Sequence, residues 1–159
     1  MSHQTANEHL SDYNQRLEAA EAMLPLIGKL WRNNGVPTYV YGAPLHLKSP
    51  TELLEAHRSA RHLAHQDLSA VDTYGIIKVI SELNLSPARI DVGKLLVRFQ
   101  ESGQSNLSEF IRGELRDLPT GQPPMRTEPQ DVVLYGFGRI GRLLARLLVE
   151  RMGGGERFR

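Results

Sequence analysis

Asp131-Val132-Val133-Leu134-Tyr135-Gly136-Phe137-Gly138-Arg139-Ile140-Gly141-Arg142 sets three glycines in G-x-G-x-x-G spacing between an apolar run and a leucine-rich amphipathic segment. The spacing alone is a weak signal. Between a strand and a helix it is stronger, because each glycine then has a mechanical task. Gly136 lets the chain turn sharply off the expected strand, Val132 to Tyr135. Gly138 lacks a Cβ, so a pyrophosphate can approach its backbone, and Gly141 lets the following helix pack closely. That helix is expected over about Arg139 to Met152, with Arg139, Arg142 and Arg146 as an exposed row and Ile140, Leu143, Leu144, Leu147 and Leu148 inward. The amides of Arg139, Ile140 and Gly141 then lie at a helix N-terminus, where unpaired N–H groups and the helix dipole favour an anion.

The residues between the glycines narrow the reading. Gly136-Phe137-Gly138-Arg139-Ile140-Gly141-Arg142 resembles the opening of the glyceraldehyde-3-phosphate dehydrogenase family, where such a string follows the first strand of the NAD-binding domain. The resemblance is carried by residues 131–159. Phe137, Arg139, Ile140 and Arg142 go beyond what the general fingerprint demands. Tyr135 stands where the family usually has Asn, which points to a divergent branch. The resemblance implies NAD or NADP as cofactor, held by Gly136, Phe137, Gly138, Arg139, Ile140 and Gly141, and a small phosphorylated aldehyde as substrate. It also implies a role in glucose metabolism, a cytoplasmic setting and a homo-oligomer, commonly a tetramer. The family's catalytic group is a cysteine thiolate activated by a histidine. This chain has no cysteine, so it contains no catalytic residue of that kind and the 159 residues alone are expected to be inactive.

Only 23 residues follow Gly136. A doubly wound dinucleotide fold needs about six strands with crossover helices, and this tail supplies one strand, one helix and a Gly153-Gly154-Gly155 turn. The acidic residue expected about 20 positions on would hold a ribose. Glu156 is at that distance, but at the start of the next strand rather than its end, and is not assigned the role. Residues 131–159 therefore read as the beginning of a truncated Rossmann domain.

Upstream, Pro119 to Gln130 holds four prolines and a glycine and reads as a linker. Residues 1–118 form a separate unit with helical periodicity, making the expected fold class mainly α: a helical bundle, then the first strand and helix of an α/β domain. Leu10, Tyr13, Leu17, Ala20, Leu24, Ile27 and Trp31 recur in alternating steps of three and four, a stripe on a long helix ending at Asn33-Asn34-Gly35. Pro25 within it predicts a kink or break. Ser49-Pro50-Thr51-Glu52 is a capping box opening a helix with Leu53, Ala56, Ala60 and Leu63 on one face. Ser69 to Asp72 leads to Tyr74, Ile77 and Ile80; Ser86-Pro87 opens a helix with Ile90, Leu95, Leu96 and Phe99. Asn106 with Glu109 caps a fifth, with Leu107, Ile111, Leu115 and Leu118 inward. Val36 to Leu47, with Thr38-Tyr39-Val40-Tyr41, is a short extended segment or an ordered loop.

Composition bounds the function. With 40% hydrophobic and 23% charged residues the composition is that of a globular chain; it has no apolar run of membrane-spanning length, and Met1 to Asn7 lack the basic and apolar regions of a secretion signal. Residues 1–118 carry 12 Lys and Arg against 14 Asp and Glu, which argues against a nucleic-acid-binding unit. Residues 139–159 carry six Arg against Glu150 and Glu156, a solvated basic face. His46, His57, His62 and His65 cluster in sequence, and His62 and His65 with Asp67 have metal-ligand spacing. No cysteine or second pair completes a site, so they are read as surface histidines opposite Leu53, Ala56 and Ala60, with no metal expected. Trp31, Tyr39 and Tyr41 are read as core or interface aromatics. No nucleophile–base pair, carboxylate pair or phosphate loop stands out in residues 1–118.

Two functions fit. The first is the N-terminal part of an NAD(P)-dependent, glyceraldehyde-3-phosphate-dehydrogenase-like oxidoreductase, preceded by a helical extension and needing on the order of 250 to 300 further residues. The alternative is a non-enzymatic helical interaction or oligomerisation module whose terminal strand and helix complement a partner. An unpaired strand and an uncovered leucine face favour the first.

Overall fold

The computed structural model describes residues 3–121 and 129–152. The chain divides into two compact units, Met1–Gln122 and Pro123–Arg159.

The first unit is helical with a small sheet. Helix α1 (His3–Asn34) runs unbroken through Pro25, contrary to a break there. Pro25 lies on the exposed side, where water can serve the carbonyl that loses its amide partner. The helix stops at Gly35, which takes a φ of +67°. Its buried stripe is Ala20, Met23, Ile27, Leu30 and Trp31. Leu10 and Tyr13 are exposed and Leu17 and Leu24 only half-buried; the expected stripe holds over the C-terminal half, where other helices cover it.

Three of the cap readings hold. Helix α2 (Pro50–Ala64) begins at the Ser49 capping box, with Glu52 accepting from the Ser49 amide at 2.7 Å. Helix α3 (Ala70–Glu82) is capped by Ser69 and α5 (Leu107–Glu114) by Asn106, whose side chain accepts from the Glu109 amide. Ser86-Pro87 misleads. Helix α4 (Val92–Ser102) starts six residues after Ser86, with Asp91 as its cap. Ser86 is instead buried and donates its amide to Pro119 O at 2.9 Å.

The cause is a three-stranded sheet added to the expected mainly helical unit, whose first strand falls in Val36 to Leu47, the stretch read as extended or loop. Strands β1 (Thr38–Val40), β2 (Ala43–Pro44) and β3 (Ile90–Asp91) are ordered β2-β1-β3. β1 and β2 form a hairpin around Tyr41-Gly42, both at positive φ, a turn that matches strand twist. A tyrosine there is strained. Asp91 offsets this by accepting from the amides of Tyr41 (3.0 Å) and Gly42 (2.9 Å) while capping Lys94 (3.1 Å). β3 pairs parallel to β1, Thr38 opposite Ile90. That pairing holds residues 90 and 91 extended, so the helix cannot begin before Val92. Gly93 lets α4 approach β1, because a Cβ there would stand 2.8 Å from Val40 Cγ2.

Helix α3 touches α1, α2, α4 and α5 and centres the core, with Ile76, Ile77 and Ile80 fully buried. Leu63 of α2 is exposed rather than inward, and His57 takes the interior place. At the end of the unit, Leu85 and Thr120 bridge and the Gly121 amide donates to Asn84 O. The first residues of the proline-rich stretch are thus bonded to the loop before β3; residues 122–128 of it lie outside the described residues.

In the second unit, helix α6 (Arg139–Met152) lies where expected. Val132 to Tyr135 is not a strand. A strand needs a ladder, and among the described residues none runs beside it. The glycine turn at 153–155 and Glu156 lie outside the described residues.

Candidate functional site: the glycine turn before α6

The chain enters the turn with Leu134 half-buried and Tyr135 fully exposed. Gly136 has a φ of +92°, a conformation that L side chains rarely adopt. Around Gly138, nothing stands within 4 Å of where a Cβ would be. Gly141 is the opposite case: a Cβ there would run into the carbonyl oxygen of Gly136. The first turn of α6 is therefore packed onto the glycine turn itself, which only a glycine at 141 permits. The Arg142 amide donates to Gly138 O at 3.0 Å, so Gly138 is the residue at which the helix begins. By helix geometry, the amides of Arg139, Ile140 and Gly141 then have no acceptor inside the helix. Chemically the arrangement offers N–H dipoles beside an open glycine backbone, which suits an oxyanion.

The side chains of the turn face outward. Phe137 and Ile140 are 67% and 70% exposed. Arg139, Arg142 and Arg146, with Leu143, line a shallow groove of about 310 Å³ along the helix. Leu143, Leu144 and Leu147 are also exposed, and the half-buried stripe is Gly141, Ala145 and Leu148. This corrects the inward assignment of Ile140, Leu143, Leu144 and Leu147. Those residues suit packing against a sheet, and no sheet covers them among the described residues.

The histidines of the first unit do not converge, and the described residues hold no group of three or more metal-ligating side chains. His62 and His65 are exposed, His65 as the left-handed cap of α2. His46 stacks on Trp31 at 4.8 Å and meets Tyr39 edge-on. His57 is buried, not on the surface as expected. Its Nδ1 lies 2.7 Å from Leu53 O and its Nε2 2.7 Å from Thr73 Oγ1. A carbonyl only accepts, so Nδ1 carries the proton and Nε2 accepts from the Thr73 hydroxyl. Burial pushes the His57 pKa down, against the smaller opposing effect of the Leu53 bond. Among the described residues no helix is long and apolar enough to cross a membrane.

Comparison with known proteins bears out the family resemblance. The chain is 45% identical over 140 residues to a glyceraldehyde-3-phosphate dehydrogenase-like protein of Pseudomonas aeruginosa (strain UCBPP-PA14). The match spans 86% of this chain and 30% of that protein's length. A continuous stretch of that share takes in everything from about residue 24 to about residue 136. The likeness thus reaches beyond the tail from which it was read, across most of the helical unit. No protein-family model matches the chain.

Proposed function

We propose that residues 131–159 open the dinucleotide-binding domain of a glyceraldehyde-3-phosphate-dehydrogenase-like, NAD- or NADP-dependent oxidoreductase. Residues 1–118 are the helical domain that precedes it and residues 119–130 the segment joining them. The observation that carries the reading is the set of three glycine geometries. Gly136 sits at positive φ, Gly138 faces open space, and Gly141 is in contact with the Gly136 carbonyl. This is the division of labour that a pyrophosphate turn requires.

The residues present fit such a cofactor. Space at Gly138 lets a pyrophosphate reach the backbone, and the amides of Arg139, Ile140 and Gly141 would donate to its oxygens. Gly136, at positive φ, sets the path of the turn. A bound nicotinamide dinucleotide would supply hydride-accepting chemistry. The chain's own share is binding and orientation, since without cysteine it offers no thiol nucleophile. The P. aeruginosa relative is more than three times as long as the matched region. The reading assigns to the corresponding further sequence the remaining strands, the ribose-binding acid and the nucleophile that acts on a phosphorylated aldehyde. It also assigns a homo-oligomeric state and a cytoplasmic setting.

The test is a titration of the protein made from its full reading frame with NAD and with NADP, followed by assay of cofactor reduction with glyceraldehyde 3-phosphate. Saturable binding of one cofactor and reduction dependent on the aldehyde support the reading. Failure to bind either cofactor refutes it.

A further inference from the structure

Apart from the glycine turn, the helical unit contains a cleft of about 250 Å³ between α1, α2 and the entry to α3. Tyr13 and Arg16 come from α1, Arg58 and Arg61 from α2, and Leu68 and Ala70 form part of the apolar floor. No carboxylate lines it. Two of the arginines are paired with acids that are not among the lining residues. Asp12 holds Arg16 through two contacts, at 2.8 and 3.2 Å, and Asp67 holds Arg61 at 3.0 Å. Arg58 has no carboxylate partner among the described residues.

One further observation points to a ligand. The Nε of Arg61 is buried without a hydrogen-bond partner among the described residues. Leaving such a donor unpaired is costly, and a guanidinium held through only one of its nitrogens is free to present a second to an incoming oxyanion. Ala70, in the floor, is the first residue of the 13-residue helix α3, whose first turn also carries Asp72. Leu68 and Ala70 are themselves almost fully buried, so the floor is apolar and fixed. His57 forms part of the wall and is kept uncharged by its burial, with both ring nitrogens engaged.

We infer that this cleft binds a small organic oxyanion, a phosphate monoester or carboxylate on a body of a few carbons. Arg58 and Arg61 grip the headgroup, Arg16 and Tyr13 close the α1 side, and the carbon body lies on Leu68 and Ala70. Planar guanidiniums match both headgroups bidentately. The site is independent of the glycine turn, and its test does not involve a dinucleotide.

The whole chain is titrated by calorimetry at physiological ionic strength with inorganic phosphate, glycerol phosphate and succinate. The expected result is saturable binding of glycerol phosphate or succinate, the tighter of the two identifying the headgroup. Arg58→Ala and Arg61→Ala should each weaken it at least about tenfold, the usual effect of losing a charge-assisted bond. Lys94→Ala, remote from the cleft, should leave it unchanged. In parallel the His57 ring resonances of the wild-type chain should shift along the same binding curve, which localises the ligand without any substitution. No saturable binding of either organic anion overturns the inference. So does binding that survives both arginine replacements or leaves the His57 resonances still.

Discussion

Replacing Thr73 by Val should destabilise the helical unit more than replacing its partner, His57, by Leu. Both side chains are buried, and they share one hydrogen bond, 2.7 Å from His57 Nε2 to Thr73 Oγ1. The two ends of that bond differ in what remains when it is cut. With His57 gone, the Thr73 hydroxyl can turn to Ala70 O at 3.1 Å or Ser69 O at 3.3 Å. With the hydroxyl gone, Nε2 has no other partner among the described residues. Val matches Thr in shape, so no cavity opens. The cost is that of one unsatisfied buried acceptor, about 1 to 3 kcal/mol. For a unit of roughly a hundred residues this is a fall in Tm of about 5 to 20 °C. His57→Leu should cost less, and the double variant should lie close to His57→Leu, a clear departure from additivity. Urea unfolding followed by circular dichroism measures all three. Should Thr73→Val prove the milder of the two, the tautomer and the donor direction assigned to this pair are wrong.

Other tests bear on the same framework. Because burial lowers the His57 pKa in the folded state, the unfolded chain binds the proton more readily. The stability it contributes is complete above the unfolded value of about 6.5 and is lost as pH falls below it; the slope of stability between pH 7 and 5 should flatten in His57→Leu. Asp91→Ala removes the acceptor for Tyr41, Gly42 and Lys94 together and should cost about 2 to 3 kcal/mol; denaturant unfolding checks it, and a loss under about 0.5 kcal/mol would mean the hairpin is held otherwise. Gly141→Ala should displace the start of α6, since its Cβ meets the Gly136 carbonyl, whereas Gly138→Ala should not; amide chemical shifts of residues 136–145 report the difference.

The sequence was most legible where structure is local. Capping at Ser49, Ser69 and Asn106, the stop at Gly35 and the span of α6 depend on residues within a turn of one another. It was least legible where partners lie far apart. The local hairpin of Thr38–Val40 with Ala43–Pro44 falls in the stretch read as extended or loop, but its parallel pairing with Ile90 and Asp91, about fifty residues on, was not legible. That pairing delays the helix start from Ser86-Pro87 to Val92. His57 looked like one of four surface histidines. Its interior place depends on Thr73, sixteen positions away on another helix. Leu10, Tyr13 and Leu63 fit the helical periodicity yet stand exposed, since periodicity defines a face and not what covers it. The sharp turn at Gly136 and the helix start after Gly138 were legible because both depend on residues within a turn of one another. The arginine cleft was not: Arg16 is remote in sequence from Arg58 and Arg61, and only the packing of α1 on α2 brings them to one wall.

The most direct measurement of the central claim is cofactor titration of Gly138→Val beside wild type, in the protein made from its full reading frame. The space around Gly138 is open, so the variant should fold, which circular dichroism verifies, while its branched Cβ stands where a pyrophosphate must approach the backbone. NAD or NADP affinity should fall by far more than in Arg142→Ala, whose side chain lies along the outer groove of the helix. A folded Gly138→Val protein that binds either cofactor as tightly as wild type would show that this turn is not a pyrophosphate site.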